Sequence, residues 1–136
     1  MRGAALLLTL LLAGCAPTPV DSPTLQLPFT TSASAPLSFL GTVQVGTHRI
    51  LGFGVMNLGN QALVVEAVSY AGDPEMALAP GPSSALPASV AFNQELDVFV
   101  TCSPQAAATY TGTVTIVSNA VNTPTASVYL ACTGSQ

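Results

Sequence analysis

Lysine and tryptophan are missing from the 136 residues, histidine occurs once, and charged residues make up 6% of the chain. With two cations, Arg2 and Arg49, and a net charge of −4, there is no basic surface to offer a phosphate backbone, which excludes nucleic acid as a partner. The same scarcity removes most catalytic sets. His48 is the one imidazole, no Gly-x-Ser-x-Gly elbow occurs, and the spacing supplies it with neither an orienting acid nor a nucleophile. No two of the three cysteines have the C-x-x-C spacing of redox or metal sites. An enzyme is therefore not expected, and no cofactor or metal is implied. What is plentiful is apolar: 49% of the residues are hydrophobic, too many for a disordered chain, and the length suits one domain.

One apolar run stands at the N-terminus. Arg2 precedes Ala4 to Leu12, which holds Leu6, Leu7, Leu8, Leu10, Leu11 and Leu12, and Gly14, Cys15, Ala16 and Pro17 end it well short of the roughly 20 residues that span a bilayer. A positive start and a short apolar stretch are the parts of an export signal. Leu12-Ala13-Gly14-Cys15 resembles the lipobox of bacterial lipoproteins at every position. The resemblance implies that residues 1–14 are a cleaved signal peptide and that Cys15 becomes the mature first residue, lipidated with acyl chains of the palmitate kind. Two or three chains make a stable membrane anchor, since each buried CH2 adds about 0.8 kcal/mol. Ala16 after the cysteine implies, in the same family, the outer membrane of a bacterial cell envelope rather than the inner one. The mature chain would keep six carboxylates against Arg49 alone, a side-chain charge of −5, so the lipid is the expected membrane contact and electrostatic attraction to anionic lipid is not.

Residues 15–35 read as a Pro/Ser/Thr-rich tether. Pro17, Pro19, Pro23 and Pro28 oppose helix and favour extended chain, although Leu25, Leu27 and Phe29 alternate with polar residues and could add an edge strand. From Pro36 to Gln136, 101 residues show short alternating apolar runs punctuated by Gly, Asn and Pro. They predict an all-β, seven-strand antiparallel β-sandwich, with strands near Leu37–Val45, His48–Met56, Ala62–Tyr70, Glu75–Ala79, Ser89–Thr101, Tyr110–Ser118 and Thr125–Cys132. The last three are clearest. Leu96, Val98, Val100 and Cys102 share one face, as do Val114 and Ile116, then Ala126, Val128, Leu130 and Cys132, while the intervening Asp, Thr and Ser residues point the other way.

Leu37-Ser38-Phe39, Gly41-Thr42-Val43, Val55-Met56-Asn57-Leu58-Gly59-Asn60 and Leu63-Val64-Val65 resemble the first half of the bacterial choice-of-anchor D domains, relatives of the ASH domain and MSP-like immunoglobulin folds. Val98 to Pro104, Tyr110 to Ile116, Ser118-Asn119 and Val128-Tyr129-Leu130 resemble the second half. The resemblance implies an Ig-like β-sandwich in an extracytoplasmic or scaffolding setting and implies no reaction. Gly52 and Gly54 depart from the family pattern.

Spending Cys15 on lipid leaves Cys102 and Cys132, which end strands of like direction and so lie at one pole, one per sheet in an Ig-like order; a structural disulfide bond is expected. Tyr110 stands where sandwich folds place a tyrosine corner. His48 and Arg49 read as solvent-facing residues at a strand start, and Asp73 with Glu75, and Glu95 with Asp97, as solubilising charges, since calcium wants six to eight oxygens. Gly52 and Gly54 fall on one face of their strand. They suit either strand addition by a partner at a sheet edge or close packing inside the domain. The expected function is an envelope-anchored lipoprotein with a non-catalytic protein-binding or scaffolding module whose partner is another envelope or surface protein. A passive structural spacer is the alternative.

Overall fold

Alternation of buried and exposed residues along each C-terminal segment builds the sandwich. In the computed structural model, which describes residues 21–38 and 40–136, nine strands form two sheets. They are β1 (Leu25–Gln26), β2 (Thr42–Gln44), β3 (Arg49–Asn57), β4 (Leu63–Gly72), β5 (Met76–Ala79), β6 (Ala88–Val90), β7 (Glu95–Cys102), β8 (Thr109–Ser118) and β9 (Thr125–Ser135). One sheet has the order β1-β3-β7-β5 and the other β2-β9-β8-β4-β6. Val55, Val98 and Val100 of the first face Val65, Val114, Ile116, Val128 and Leu130 of the second, all fully buried in one cluster. Full burial stabilises by roughly 1.5–3 kcal/mol per large side chain, so a one-residue slip of any central strand is heavily penalised. The chain is thus an all-β, Ig-like sandwich. The inward sets expected on β7, β8 and β9 are all buried.

Two expected strands are each divided. Residues 89–101 are not one strand: Asn93 takes a left-handed backbone (φ 59°) that a continuous strand does not tolerate, so β6 pairs with β4 in one sheet and β7 with β3 in the other. Residues 37–45 break at Gly41 (φ 62°), leaving a lone bridge from Leu37 to Leu130 and the short β2. Both contacts run parallel to β9, so the sandwich is antiparallel except along this flank. A bulge between Val65 and Ala67 sets Glu66 outside the ladder of β4.

The tether expected over residues 15–35 lies against the sandwich from Asp21 onward. Leu25 is buried, β1 pairs antiparallel with the end of β3, and Leu27 and Phe29 pack on the core, Phe29 edge-on to Phe53 at 5.5 Å. The alternation of Leu25, Leu27 and Phe29 gave them apolar surface to bury, and it outweighs the pull of the prolines toward solvated chain. Residues 1–14 and Cys15, with the signal peptide and lipidation expected there, lie outside the described residues.

Candidate functional site

Backbone direction along β3 defines one open sheet edge of the molecule. In an antiparallel ladder successive residues aim their N–H and C=O groups at opposite sides. The Asn57 N–H donates to the Gln94 carbonyl on the β7 side (3.0 Å), and the Leu58 N–H donates to the Thr24 carbonyl on the β1 side (2.9 Å). The even-numbered Met56, Gly54, Gly52 and Ile50 therefore face the β1 side. There β1 pairs only with Asn57 and Met56, through Leu25 and Gln26. Continuing that register sets Pro28 opposite Gly54, and proline has no N–H to donate. The chain bends at Pro28, and among the described residues no strand pairs with this flank of β3 from Ile50 to Gly54. Ile50 and Leu51 beside it are 49% and 37% exposed. At its closed end the edge borders a pocket of about 170 Å³ lined by Gln26, Leu27, Pro28, Gly54, Met56 and Glu95.

The two glycines lie on this edge, but their missing side chains are used from within. A Cβ at Gly52 would stand 2.6 Å from the Phe99 ring, and one at Gly54 would meet the Glu95 carboxylate. Phe99 also lies against Gly81, so its ring is held between two glycines on the outer face of the sheet. What the edge offers is main chain and the apolar Ile50 and Leu51.

Cys102 and Cys132 form a disulfide that joins β7 to β9 across the two sheets, with Cα atoms 6.6 Å apart and both residues fully buried. Beside it Tyr110 makes the expected corner: its hydroxyl accepts from the Ala106 N–H (3.0 Å) and donates to the Ala106 carbonyl (3.2 Å). His48 is exposed where β3 begins, and Arg49 donates through Nη1 to the Leu40 carbonyl (3.1 Å). The acidic pairs have local work. Asp73 accepts from the Thr111 N–H (2.6 Å), and Glu95 covers Gly54. Among the described residues no group of three His, Cys, Asp or Glu side chains is placed to hold a metal ion.

Sequence reasoning missed three side chains. Tyr70 lays its ring over Gly112 and donates to the Asp73 carbonyl (2.8 Å); burial first, then the Asp73 and Glu75 charges, push its phenol up to about 12. Asn57 is fully buried and joins four backbone groups, and Asn122 grips both backbone groups of Leu25. The sequence Asn57-Leu58-Gly59 is a turn signal that marks the first of these; nothing local marks the partners.

An open-edged, disulfide-bridged Ig-like sandwich is the class this geometry defines, and the likeness to solved structures is one of fold. A protein of unknown function from Porphyromonas gingivalis W83 superposes with a TM-score of 0.61 at 13% identity, over 85% of this chain and 49% of its own. The VesB protease of Vibrio cholerae does so with 0.55 at 12% identity, over 68% of this chain and 29% of its own. The ASH/PapD-like domain 7 of human CEP192 aligns over 100% of this chain and 97% of its own, with 0.49 at 11% identity. The chain spans about half the length of the Porphyromonas protein and under a third of the protease. No family model matches the chain, and no curated protein matches it.

Proposed function

We propose that the protein is a lipid-anchored module of a bacterial cell envelope that binds an extended segment of another envelope or surface protein along the free edge of β3. Residues 1–14 are the export signal, Cys15 carries the acyl chains, and a short tether leads to the sandwich, at the outer membrane. The carrying observation is the unpaired flank from Ile50 to Gly54, which Pro28 keeps open by ending β1 after two residues. An incoming strand finds there the hydrogen-bonding groups of Gly52 and Gly54 and the exposed Ile50 and Leu51 to cover. The module is read as non-catalytic because His48, the one imidazole, has neither an orienting acid nor a nucleophile at a spacing that would serve it. A passive spacer is the second reading, favoured by the way Phe99 and Glu95 already fill the space over both glycines.

A photo-crosslinking residue in place of Ile50, expressed in the native cell, tests the two readings. Edge binding yields one reproducible crosslinked protein, absent when the same residue replaces Thr113 on the other sheet. It also weakens in a Pro28→Thr background, where β1 gains the N–H needed to pair with Gly54. A spacer gives no product distinct from the Thr113 control.

A further inference from the structure

Three turns meet at one end of the sandwich: β3–β4, β6–β7 and β8–β9. Each shows a large apolar side chain to solvent, with Leu58 41%, Phe92 59% and Val121 64% exposed. The N-terminal segment joins the domain among them. The Val121 N–H donates to the Pro23 carbonyl (3.0 Å), the Leu58 N–H to the Thr24 carbonyl (2.9 Å), and the Asn93 N–H to the carbonyl of Asn57 (2.8 Å). Cys15 and Asp21 are six residues apart, so even a fully extended connection spans at most about 20 Å. The opposite end of the sandwich lies a further ~35 Å away along β9. An anchor on Cys15 therefore holds this end, and not the other, at the membrane surface.

We infer that this turn pole rests on the bilayer, with Leu58, Phe92 and Val121 entering the boundary between headgroups and acyl chains. The inference rests on acylation of Cys15 and adds a second membrane contact to it. Charge does not make the contact. The ionised group nearest the junction is Asp21, whose carboxylate accepts from Gln61 Nε2 (2.9 Å), and the sole mature cation, Arg49, begins β3 at the far end. The pole's rim carries the amides of Asn60, Gln61 and Asn122, and its other carboxylate, Glu95 at the start of β7, is again an anion, so zwitterionic headgroups suit it better than anionic ones. It also sets the open flank of β3, from Ile50 to Gly54, toward the end that faces away from the membrane.

The chain has no tryptophan, so Phe92→Trp in the full, signal-processed protein is a clean reporter, with Val121→Trp as a second site should the first disturb folding. In phosphatidylethanolamine/phosphatidylcholine vesicles the reporter at 92 or 121 is expected to shift its emission to the blue and to lose most of it when brominated lipids replace ordinary ones. Ile50→Trp should do neither, and phosphatidylglycerol should weaken the effect. Mass spectrometry of the mature N-terminus is run on the same sample. An acylated, vesicle-bound protein whose residue 92 and 121 reporters stay open to a water-soluble quencher overturns the pole contact alone. A mature chain without an acyl group overturns the anchor and this inference with it.

Discussion

Asn57 is the residue on which most of the turn pole converges. Its Nδ2 donates to the Gln61 (2.8 Å) and Val90 (2.9 Å) carbonyls, and its Oδ1 accepts from the N–H groups of Gly59 (2.9 Å) and Thr24 (3.3 Å). Every capacity of the amide is used, and a buried polar group left unpaired costs about 1–3 kcal/mol. Asn57→Ala strands several at once, so urea unfolding should show a loss of about 3–4 kcal/mol. Asn57→Asp, which sets an acceptor against two carbonyls, should do no better than alanine. Tyr70 gives a residue-scale prediction in pH. Its phenol ionises near 10 in the unfolded chain and is pushed up to about 12 in the fold, so the folded state holds the proton more tightly. The stability from that proton is complete below pH 10 and lost as pH rises toward 12. Alkaline titration of the phenolate absorbance should show one tyrosine ionising late, and Tyr70→Phe should remove that step and flatten the alkaline loss of stability.

At the scale of the element, β1 shows how two residues hold a segment that composition assigns to a tether. Leu25 turns its backbone away from β3, and the Asn122 amide meets it like a neighbouring strand, accepting from its N–H (3.0 Å) and donating to its carbonyl (2.8 Å). Pro28 then ends the ladder. On the next strand the two glycines are unequal. A Cβ at Gly52 meets an aromatic ring already held on its other side by Gly81, whereas at Gly54 it meets chiefly the carboxylate end of the exposed Glu95, which can swing into solvent, with the Glu95 Cβ at 3.3 Å. Gly52→Ala should therefore cost about 1–3 kcal/mol by overpacking, and Gly54→Ala should stay within about 0.5 kcal/mol of the parent, both by urea melts. A silent Gly52→Ala would show that the ring does not need the gap. β7, β8 and β9 were legible in the sequence because one buried face and one wet face leave a period of two. The division at Asn93 was not, because the apolar residues around it belong to one core whichever sheet carries them. Nor was the open edge, which depends on Pro28 meeting Gly54 across the fold, 26 residues apart in the chain.

In the whole molecule the two poles are tied by different means. The turn pole is held by amide side chains: Asn57 and Asn122, with Asn119 accepting from the Val64 N–H (2.8 Å). At the other pole the register pairs Cys102 with Arg49 and Met76, and Cys132 with Tyr110, so the disulfide and the tyrosine corner close the ends of both sheets together. A cross-link between sheets acts mainly by limiting the unfolded chain, and for a separation of 30 residues the loop-closure model gives roughly 3–4 kcal/mol. Replacing both cysteines by alanine, small and apolar enough for sites that are fully buried, tests this without burying a hydroxyl. The Cys102→Ala/Cys132→Ala protein should lose that amount in urea. It should also unfold with a steeper denaturant dependence, because its unfolded chain exposes more surface once the loop is free. A loss confined to the midpoint, with the slope unchanged, would place the effect in the folded core around β7 and β9 instead of in the unfolded ensemble. Hydrogen exchange would then show amides near Tyr110 and Cys132 opening first, while those around Asn57 keep their protection.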